Sequence, residues 1–437
     1  SGEEHTDELS LLRMPPHSFG WDIMPRLLSA GLWRSVSLDI VNPTRITQSY
    51  YATISASEDE AELMIKCRFT TPERVMQGYR LHVQGTCGNS VFEYDAPARF
   101  VSEEGRVKIK NPKLWWPRGY GEANQYEMTA TLLRDGQPVD TLSFRQGLRT
   151  AELIHDDIIA EDGSGDFCFV VNGKRIYVKG TNWVPADAFH GSDMERIPAI
   201  LDLVRDVGCN AMRVWGGGVY ESDFFYDWCD GNGILIWQDF MMACGVYPHT
   251  ERMLGQLREE AAAVVRRLRR HACICLWAGD NECDQNYCWG DMKQDPARNR
   301  LTREVLPQVL HAEDWTRPYL PSSPYVSSEA FRAGKQEQTP EQHLWGPRDY
   351  FKGHFYHDAN AVFASEMGYH GCNSPASIYK FIGREKSWPV DGNEQYLYHA
   401  ASPETQDAPY TYRIPLMSGQ LRFLFRQEPQ NLDEYAR

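Results

Sequence analysis

The spacing of apolar and polar positions along the chain changes near residue 150. Between residues 34 and 150 apolar residues occupy every second position of short runs, as do Leu63, Ile65 and Cys67. Such alternation is typical of strands with one buried face, and turn sequences such as Asp135-Gly136 separate the runs. This part of the chain therefore predicts an antiparallel, immunoglobulin-like β-sandwich of about seven strands.

Continuous apolar runs alternate with helical patterns in the second part of the chain, residues 151 to 437. The runs have the length and composition of strands that are buried on both faces in parallel sheets. After a hairpin at Asn172-Gly173-Lys174, strands are predicted at 176–180, 210–215, 234–239, 273–282, 317–321, 343–345 and 361–366, and helices at 196–207, 221–232 and 253–271. Seven strands alternating with helices predict a (β/α)₈ TIM barrel that lacks its last unit.

The two ends of the chain are predicted to be incomplete. Residues 429–437 resemble the beginning of a helix, so the barrel domain of residues 151–437 is expected to stop before its last unit. Residues 1–33 are too few for a domain, and the composition of Ser18-Phe19-Gly20-Trp21-Asp22 is that of an exposed loop. On composition alone this first segment is interpreted as a linker.

Two glutamates stand at the ends of two predicted barrel strands. Glu282 closes the run that begins at Cys273, and Glu366 closes the run that begins at Ala361. Barrel enzymes carry their chemistry at the rim where the strands end. A single glutamate there is more often solvated or paired with a cation, but two facing carboxyl groups can protonate and attack a glycosidic bond. Glycoside hydrolysis is the leading hypothesis.

Composition and charge narrow the functional classes. The chain of 437 residues is 42% hydrophobic, which is sufficient for large cores. Its formal net charge of −15 argues against a nucleic-acid-binding surface, and no run approaches the ~20 apolar residues of a membrane helix. The chain does not begin with Met, so its native start is expected to be missing and its localisation is not predicted.

Neither a cofactor nor a metal is predicted. The eleven cysteines lack the spacing of a disulfide framework or a zinc site, so free buried thiols are expected. The glycines at 216–218 are not followed by a phosphate-binding motif. His354 and His357 with Asp358 lack the second group of ligands that a metal site requires.

Several motifs, in this order, resemble those of glycoside hydrolase family 2, closest to its β-mannosidase branch. They are Ser18-Phe19-Gly20-Trp21-Asp22, Trp115-Trp116-Pro117-Arg118-Gly119-Tyr120-Gly121, Asn182-Trp183-Val184-Pro185-Ala186-Asp187, Met212-Arg213-Val214-Trp215-Gly216-Gly217-Gly218, Trp237-Gln238-Asp239-Phe240, Trp277-Ala278-Gly279-Asp280-Asn281-Glu282 and Ser365-Glu366-Met367-Gly368. The resemblance implies that residues 1–33 are the C-terminal remnant of a jelly-roll sugar-binding domain, followed by the sandwich and the barrel.

The resemblance also implies roles for individual residues. Glu282 corresponds to the acid/base at the end of strand 4, Glu366 to the nucleophile at the end of strand 7, and Asn281 to a residue that bonds the sugar 2-hydroxyl. Trp21 and Asp22 match a loop that reaches the sugar-binding subsite, which replaces the linker interpretation.

Further residues are implied to line the sugar-binding pocket. Trp215, Asp239 and Trp289 fall at positions where the family lines it. Arg213 and His343 are secondary candidates, because an inward arginine on a barrel strand often only holds a carboxylate in place.

Two features depart from the family pattern. Asp280 stands where the family commonly has asparagine, and its charge is expected to raise the proton affinity of the neighbouring acid/base by like-charge repulsion. Residues 344–350 differ from the form associated with ordinary β-mannosidases, so the sugar is less well defined than the reaction type.

The implied function is a retaining exo-β-glycosidase that hydrolyses terminal β-D-mannosyl residues of a glycan. Retention predicts carboxyl groups about 5 to 5.5 Å apart, against roughly 6.5 to 9.5 Å for inversion. Alternatives within the enzyme class are an exo-β-glucosaminidase, a β-galactosidase or a β-glucuronidase. A carbohydrate-binding chain without turnover is another alternative, because an open barrel need not hold two carboxylates precisely.

Overall fold

The structure is a computed structural model, and it describes most of the chain. The described residues are 8–21, 23–289, 293–346, 352–368, 371–400, 413–426 and 428–437.

Seven antiparallel strands form a β-sandwich of two sheets. The strands are β1 (Arg45–Ala56), β2 (Glu60–Thr70), β3 (Tyr79–Cys87), β4 (Ser90–Pro97), β5 (Ser102–Lys110), β6 (Tyr126–Arg134) and β7 (Gln137–Gln146). One sheet has the order β1-β2-β5 and the other β4-β3-β6-β7. Leu63, Ile65 and Cys67 all face the sandwich core and are almost completely buried. The alternating pattern thus predicted both the immunoglobulin-like sandwich and the face of this strand that is buried.

A three-stranded antiparallel sheet joins the sandwich to the barrel. It consists of β8 (Ala151–His155), β9 (Phe167–Val171) and β10 (Lys174–Ile176), with β9 in the middle. The turn between β9 and β10 has positive φ at Asn172 (49°) and Gly173 (75°), as a tight two-residue hairpin requires. Because residues 174–176 pair back onto β9, the first barrel strand begins at Gly180, later than predicted.

Seven parallel strands form the described part of the barrel. They are β11 (Gly180–Trp183), β12 (Ala211–Val214), β13 (Leu235–Asp239), β14 (Ile274–Ala278), β15 (Tyr319–Leu320), β16 (Glu341–Leu344) and β17 (Phe363–Met367). Strands β11 to β15 pair in sequence order, and β16 pairs with β17. Every residue of β12, β13 and β14 is buried, which explains their continuous apolar runs. Within the described residues the number of barrel strands is seven, as predicted.

Side-chain hydrogen bonds connect the two groups of barrel strands. The Nδ2 atom of Asn182 in β11 donates to the carbonyl oxygen of Ser365 in β17 at 2.9 Å. The hydroxyl of Ser323, beyond β15, donates to Oε1 of Glu341 in β16 at 2.9 Å. These contacts hold β17 beside β11 and β16 beside the end of β15, which brings the strand ends around one rim.

Helices lie between and after the barrel strands. Before the barrel is α1 (Glu8–Leu11); within and after it are α2 (Asp193–Asp206), α3 (Asp223–Asn232), α4 (Glu251–Leu268), α5 (Cys283–Cys288), α6 (Leu306–Glu313), α7 (Ser328–Arg332), α8 (Phe355–Asp358), α9 (Pro375–Ile378), α10 (Glu394–Ala400), α11 (Arg413–Phe425) and α12 (Leu432–Tyr435). The three long helices predicted from the sequence correspond to α2, α3 and α4. Within the described ranges, none of the helices has the length and apolar character needed to cross a membrane.

The N-terminal segment packs on the barrel rim. Leu9 and Phe19 are buried in the same core as the barrel strands. Arg13 forms a salt bridge of 2.6 Å with Glu260 of α4, and the backbone nitrogen of His17 donates to the carbonyl oxygen of Gly217 at 3.0 Å. These contacts place Trp21 at the mouth of the barrel.

Candidate active site

The two predicted glutamates meet at the carboxyl-end rim of the barrel. Glu282 lies in the loop after β14, and Glu366 lies in β17. One oxygen of each carboxyl group and a ring nitrogen of His343 all lie within 4.8 Å of one another. The two glutamate side chains keep 18% and 13% of their surface exposed. An accessible pair whose nearest oxygens are this close is compatible with the separation expected for retention.

Glu282 is fixed through both of its carboxyl oxygens. Oε1 lies 2.6 Å from Nδ1 of His343, and Oε2 accepts a hydrogen bond of 3.1 Å from the thiol of Cys244. Its backbone nitrogen donates to the carbonyl oxygen of Ser323 at 2.8 Å. The φ angle of Glu282 is 58°, a left-handed conformation that is uncommon for residues other than glycine and occurs often at functional sites.

Glu366 is held by cationic and polar donors. Nη1 of Arg213 donates to Oε1 at 2.6 Å, and Nε1 of Trp345 donates to Oε2 at 2.9 Å. Nδ1 of His343 lies 3.4 Å from Oε2. Burial raises the pKa of Glu366, but attraction to His343 and then to Arg213 outweighs burial, so the pKa is lowered overall. The carboxyl group is therefore ionised at neutral pH, as a nucleophile requires.

His343 lies between the two glutamates. Its Nδ1 faces both carboxyl groups, and its Nε2 lies 3.1 Å from the hydroxyl of Ser323. Burial lowers the pKa of His343, but the charges of Glu366 and then Glu282 outweigh this effect and raise the pKa. This residue, a secondary candidate in the sequence, is thus the direct link between the two carboxyl groups.

Arg213 connects most of the buried polar groups of the site. Its guanidinium donates to Asp239 (2.7 Å), Asn281 (2.8 Å) and Asn182 (3.1 Å), in addition to Glu366. The side chain is only 5% exposed. Its contacts agree with the prediction that an inward arginine holds a carboxylate in place.

The carboxylate of Asp239 faces protein groups. Its two oxygens accept hydrogen bonds from Arg213, from the backbone nitrogen of Gly216 (2.9 Å) and from Nε1 of Trp237 (2.8 Å). Burial raises its pKa to about 6, and Arg213 opposes this increase. These contacts indicate that Asp239 positions Arg213, whereas its predicted contact with a sugar hydroxyl stays a prediction.

The other predicted sugar-binding residues lie at different distances from the glutamate pair. The rings of Trp21 and Trp215 meet edge to face with centroids 5.1 Å apart, and Asn281 bonds to Arg213 immediately beside Glu282. Trp289 is 49% exposed at the end of α5, and the contacts described for it do not reach the glutamates. Asp22 lies outside the described residues.

Asp280 is directed away from its neighbour Glu282. Its Oδ1 accepts hydrogen bonds from the hydroxyl of Ser322 (2.5 Å) and the backbone nitrogen of Cys283 (3.1 Å). Burial, followed by repulsion from Asp284, raises the pKa of Asp280 to about 8. A raised pKa favours the neutral form of Asp280 and so reduces its repulsion of Glu282. The expected effect of Asp280 on Glu282, the predicted acid/base, stays a prediction.

Two site residues were not identified in the sequence. Trp345 follows β16 in the stretch that departs from the family pattern, and this departure was the available signal for it. Cys244 lies in the loop after β13 and was interpreted only as one of the free thiols. Both donate hydrogen bonds to the glutamate pair from loops, whose course a periodic pattern does not define.

The close grouping of Glu282, His343 and Glu366 also has the composition of a metal site. The hydrogen bonds among these residues, Arg213 and Trp345 account for the grouping without an ion. Within the described part of the chain, the groups of three or more possible ligands do not include His354 or His357.

Trp345→Phe is expected to reduce kcat/KM by about 10-fold, because it removes one hydrogen bond to an ionised group. This hydrogen bond favours the charged form of Glu366. Its loss should raise the pKa of Glu366 and move the acidic limb of the kcat/KM profile to higher pH, which a pH series would measure. An unshifted limb would contradict this role. Trp315→Phe, at an exposed tryptophan, is the matched control.

A barrel that carries two facing carboxyl groups at its carboxyl-end rim has the architecture of glycoside hydrolases. The model of "Glycosyl hydrolases family 2" matches residues 44–149, and that of its TIM barrel domain matches residues 165–318. The chain belongs to this family.

Relatives place the chain near the β-mannosidase branch. It is 30% identical to a "Beta-mannosidase" of Capra hircus, over 96% of this chain and 50% of the relative. It is 36% identical to a "Beta-mannosidase B" of Thermothelomyces thermophilus, over 72% of this chain and 38% of the relative. The solved β-D-mannosidase from Dictyoglomus thermophilum superimposes with a TM-score of 0.82 at 31% identity, over 99% of this chain and 52% of that one. The chain spans about half the length of the curated relatives it matches.

Proposed function

We propose that this chain carries the active site of a retaining exo-β-glycosidase that hydrolyses terminal β-D-mannosyl residues. The observation that carries the proposal is the close pair of Glu282 and Glu366, in which Glu366 is kept ionised. The similarity to proteins named β-mannosidases favours mannose as the sugar. The substrate is a β-linked oligosaccharide or glycan.

Each glutamate has one role in each step of the proposed reaction. In the first step Glu366 attacks the anomeric carbon while Glu282 gives its proton to the glycosidic oxygen, and the bond to the leaving group breaks. In the second step Glu282 takes a proton from water, which attacks the same carbon and releases Glu366. The imidazole of His343, which lies 2.6 Å from Glu282 and 3.4 Å from Glu366, would hold the two carboxyl groups in one network at the start of the first step.

The binding roles are also proposals. Asn281 would bond the sugar 2-hydroxyl, Trp21 and Trp215 would form an aromatic wall, and Trp289 would extend it. Asp22 is a further predicted sugar-binding residue. The edge-to-face contact of Trp21 with Trp215 supports a shared wall. The proposed domain organisation is a jelly-roll remnant at 1–33, the sandwich at 34–150 and the catalytic barrel at 151–437.

Covalent labelling with activated 2-fluoro sugars tests this proposal. Such reagents stall a retaining enzyme at its glycosyl-enzyme intermediate, and peptide mapping by mass spectrometry finds the labelled residue. We expect the mannose reagent, and not the glucose or galactose reagents, to label Glu366. Label from another sugar would support one of the alternative glycosidases. Label on a different residue, or no label from any reagent, would contradict the proposed nucleophile.

A further inference from the structure

Cys244 places a thiol against the proposed acid/base. Its Sγ lies 3.1 Å from Oε2 of Glu282 and 3.4 Å from Nδ2 of Asn281. The thiol therefore donates to one residue of the Asn281-Glu282 pair and accepts from the other. With His343 on Oε1, both oxygens of Glu282 have a protein partner.

Backbone hydrogen bonds around Cys244 hold its loop against Asn281 and so maintain this side-chain contact. The nitrogen of Cys244 donates to the carbonyl oxygen of Asn281 at 2.8 Å, and the nitrogen of Asn281 donates to Met242 at 2.9 Å. Ala243 and Asn281 form a parallel bridge. Cys244 has a φ angle of 41°, so two residues with side chains, Cys244 and Glu282, adopt left-handed conformations opposite each other. Such conformations persist where surrounding contacts impose them.

The thiol stays protonated next to these groups. Burial, then the charge of Glu282 and the hydrogen bond with it, raise the pKa of Cys244 well above its usual range, and Cys283 and Glu366 add to this effect. An S–H group is therefore available to donate to Glu282 across the neutral pH range.

We propose that Cys244 is a positioning residue for the acid/base of the reaction. Its S–H holds Oε2 of Glu282 while His343 holds Oε1, which fixes the plane of the carboxyl group toward the glycosidic oxygen. The carboxylate formed after proton donation keeps the same two donors. This inference rests on the proposed function, since it assigns Glu282 as the group that protonates the leaving oxygen.

Substrates that differ in their need for acid assistance test the inference. With phenyl β-mannoside, whose leaving group needs a proton, Cys244→Ala should reduce kcat/KM by about 10-fold, the effect of one hydrogen bond. With 2,4-dinitrophenyl β-mannoside, whose leaving group needs none, the loss in kcat/KM should be several-fold smaller, because only the contact of Cys244 with Asn281 is then missing. Cys244→Ser keeps a donor and should recover most of the loss.

The matched control is Cys168→Ala in β9, a thiol that donates to the carbonyl oxygen of Phe169. It should behave like the unaltered chain on both substrates. An equal loss on both substrates for Cys244→Ala would indicate a general structural defect, and no loss on phenyl β-mannoside would indicate that the contact is dispensable. Either result overturns the inference.

A second measurement requires no turnover. The rate at which iodoacetamide alkylates Cys244, followed by peptide mass spectrometry, should rise in Glu282→Ala, because the S–H group loses the oxygen that accepts its hydrogen bond and keeps the thiol protonated. An unchanged rate would show that the two groups do not interact. If the proposed function itself is wrong, the unaltered chain will hydrolyse neither aryl mannoside and will take no 2-fluoro label. This outcome differs from a failure of the inference about Cys244 alone, in which the unaltered chain is active.

Discussion

Glu366→Ala should abolish hydrolysis of 2,4-dinitrophenyl β-mannoside, and sodium azide should restore consumption of the substrate as α-mannosyl azide. Removal of the carboxylate eliminates the proposed nucleophile of the first step, so we expect kcat to fall by at least about 10⁴-fold. The shortened side chain leaves room for azide, which attacks the anomeric carbon directly. A single displacement inverts the configuration, and NMR of the product identifies the anomer.

The anomer of the azide product separates the roles of the two glutamates. In Glu282→Ala the proposed nucleophile Glu366 is intact, so azide would intercept the proposed glycosyl-enzyme and give β-mannosyl azide by two displacements. An α product from Glu282→Ala, or a β product from Glu366→Ala, would reverse the assignment. Glu341→Gln is the matched control, since Glu341 is a buried carboxyl group on the adjacent strand that bonds to Ser323 and Ser365. It should show no azide dependence.

The fold could be predicted from the sequence where the pattern of apolar positions follows directly from which faces of a strand are buried. The sandwich strands alternate because one face is buried, and the central barrel strands are continuously apolar because both faces are buried. The start of the first barrel strand was predicted too early. Its position depends on the hairpin at Asn172-Gly173, which pairs residues 174–176 with β9. An apolar run does not show whether its residues pair with this hairpin or with the next barrel strand.

The carboxylate pair could be predicted because the ends of parallel strands share one rim, so Glu282 and Glu366 meet although they are far apart in sequence. Which side chains donate hydrogen bonds to the two glutamates depends on loop conformation and side-chain direction. Cys244 reaches Glu282 from a loop, and Asp239 turns toward Arg213 because a buried guanidinium must be neutralised. Residue type and spacing in the sequence do not specify where the side chains of Cys244 and Asp239 point.

Arg213→Met should destabilise the barrel by about 3 to 5 kcal/mol, the cost of leaving buried carboxylates without their cation. The guanidinium bonds to both Asp239 and Glu366, and methionine fills a similar volume without charge. Thermal melts followed by circular dichroism would measure the loss. Arg175→Met is the control, because its salt bridge with Asp166 is exposed to solvent, and no measurable change is expected there.

The pH dependence of the stability lost in Arg213→Met identifies the cause of that loss. The pKa of Asp239 is about 6 in the folded chain, above its ordinary value of 3.8, so its ionisation costs stability as pH rises through this interval. Removing Arg213 should raise this pKa further and extend the cost to higher pH. Glu366 has a lowered pKa and contributes stability above its ordinary value of 4.5, part of which depends on Arg213. Both effects predict that the difference in melting temperature between Arg213→Met and the unaltered chain widens from pH 5 to pH 8. A difference independent of pH would instead mean that lost packing, and not unpaired charge, destabilises the variant.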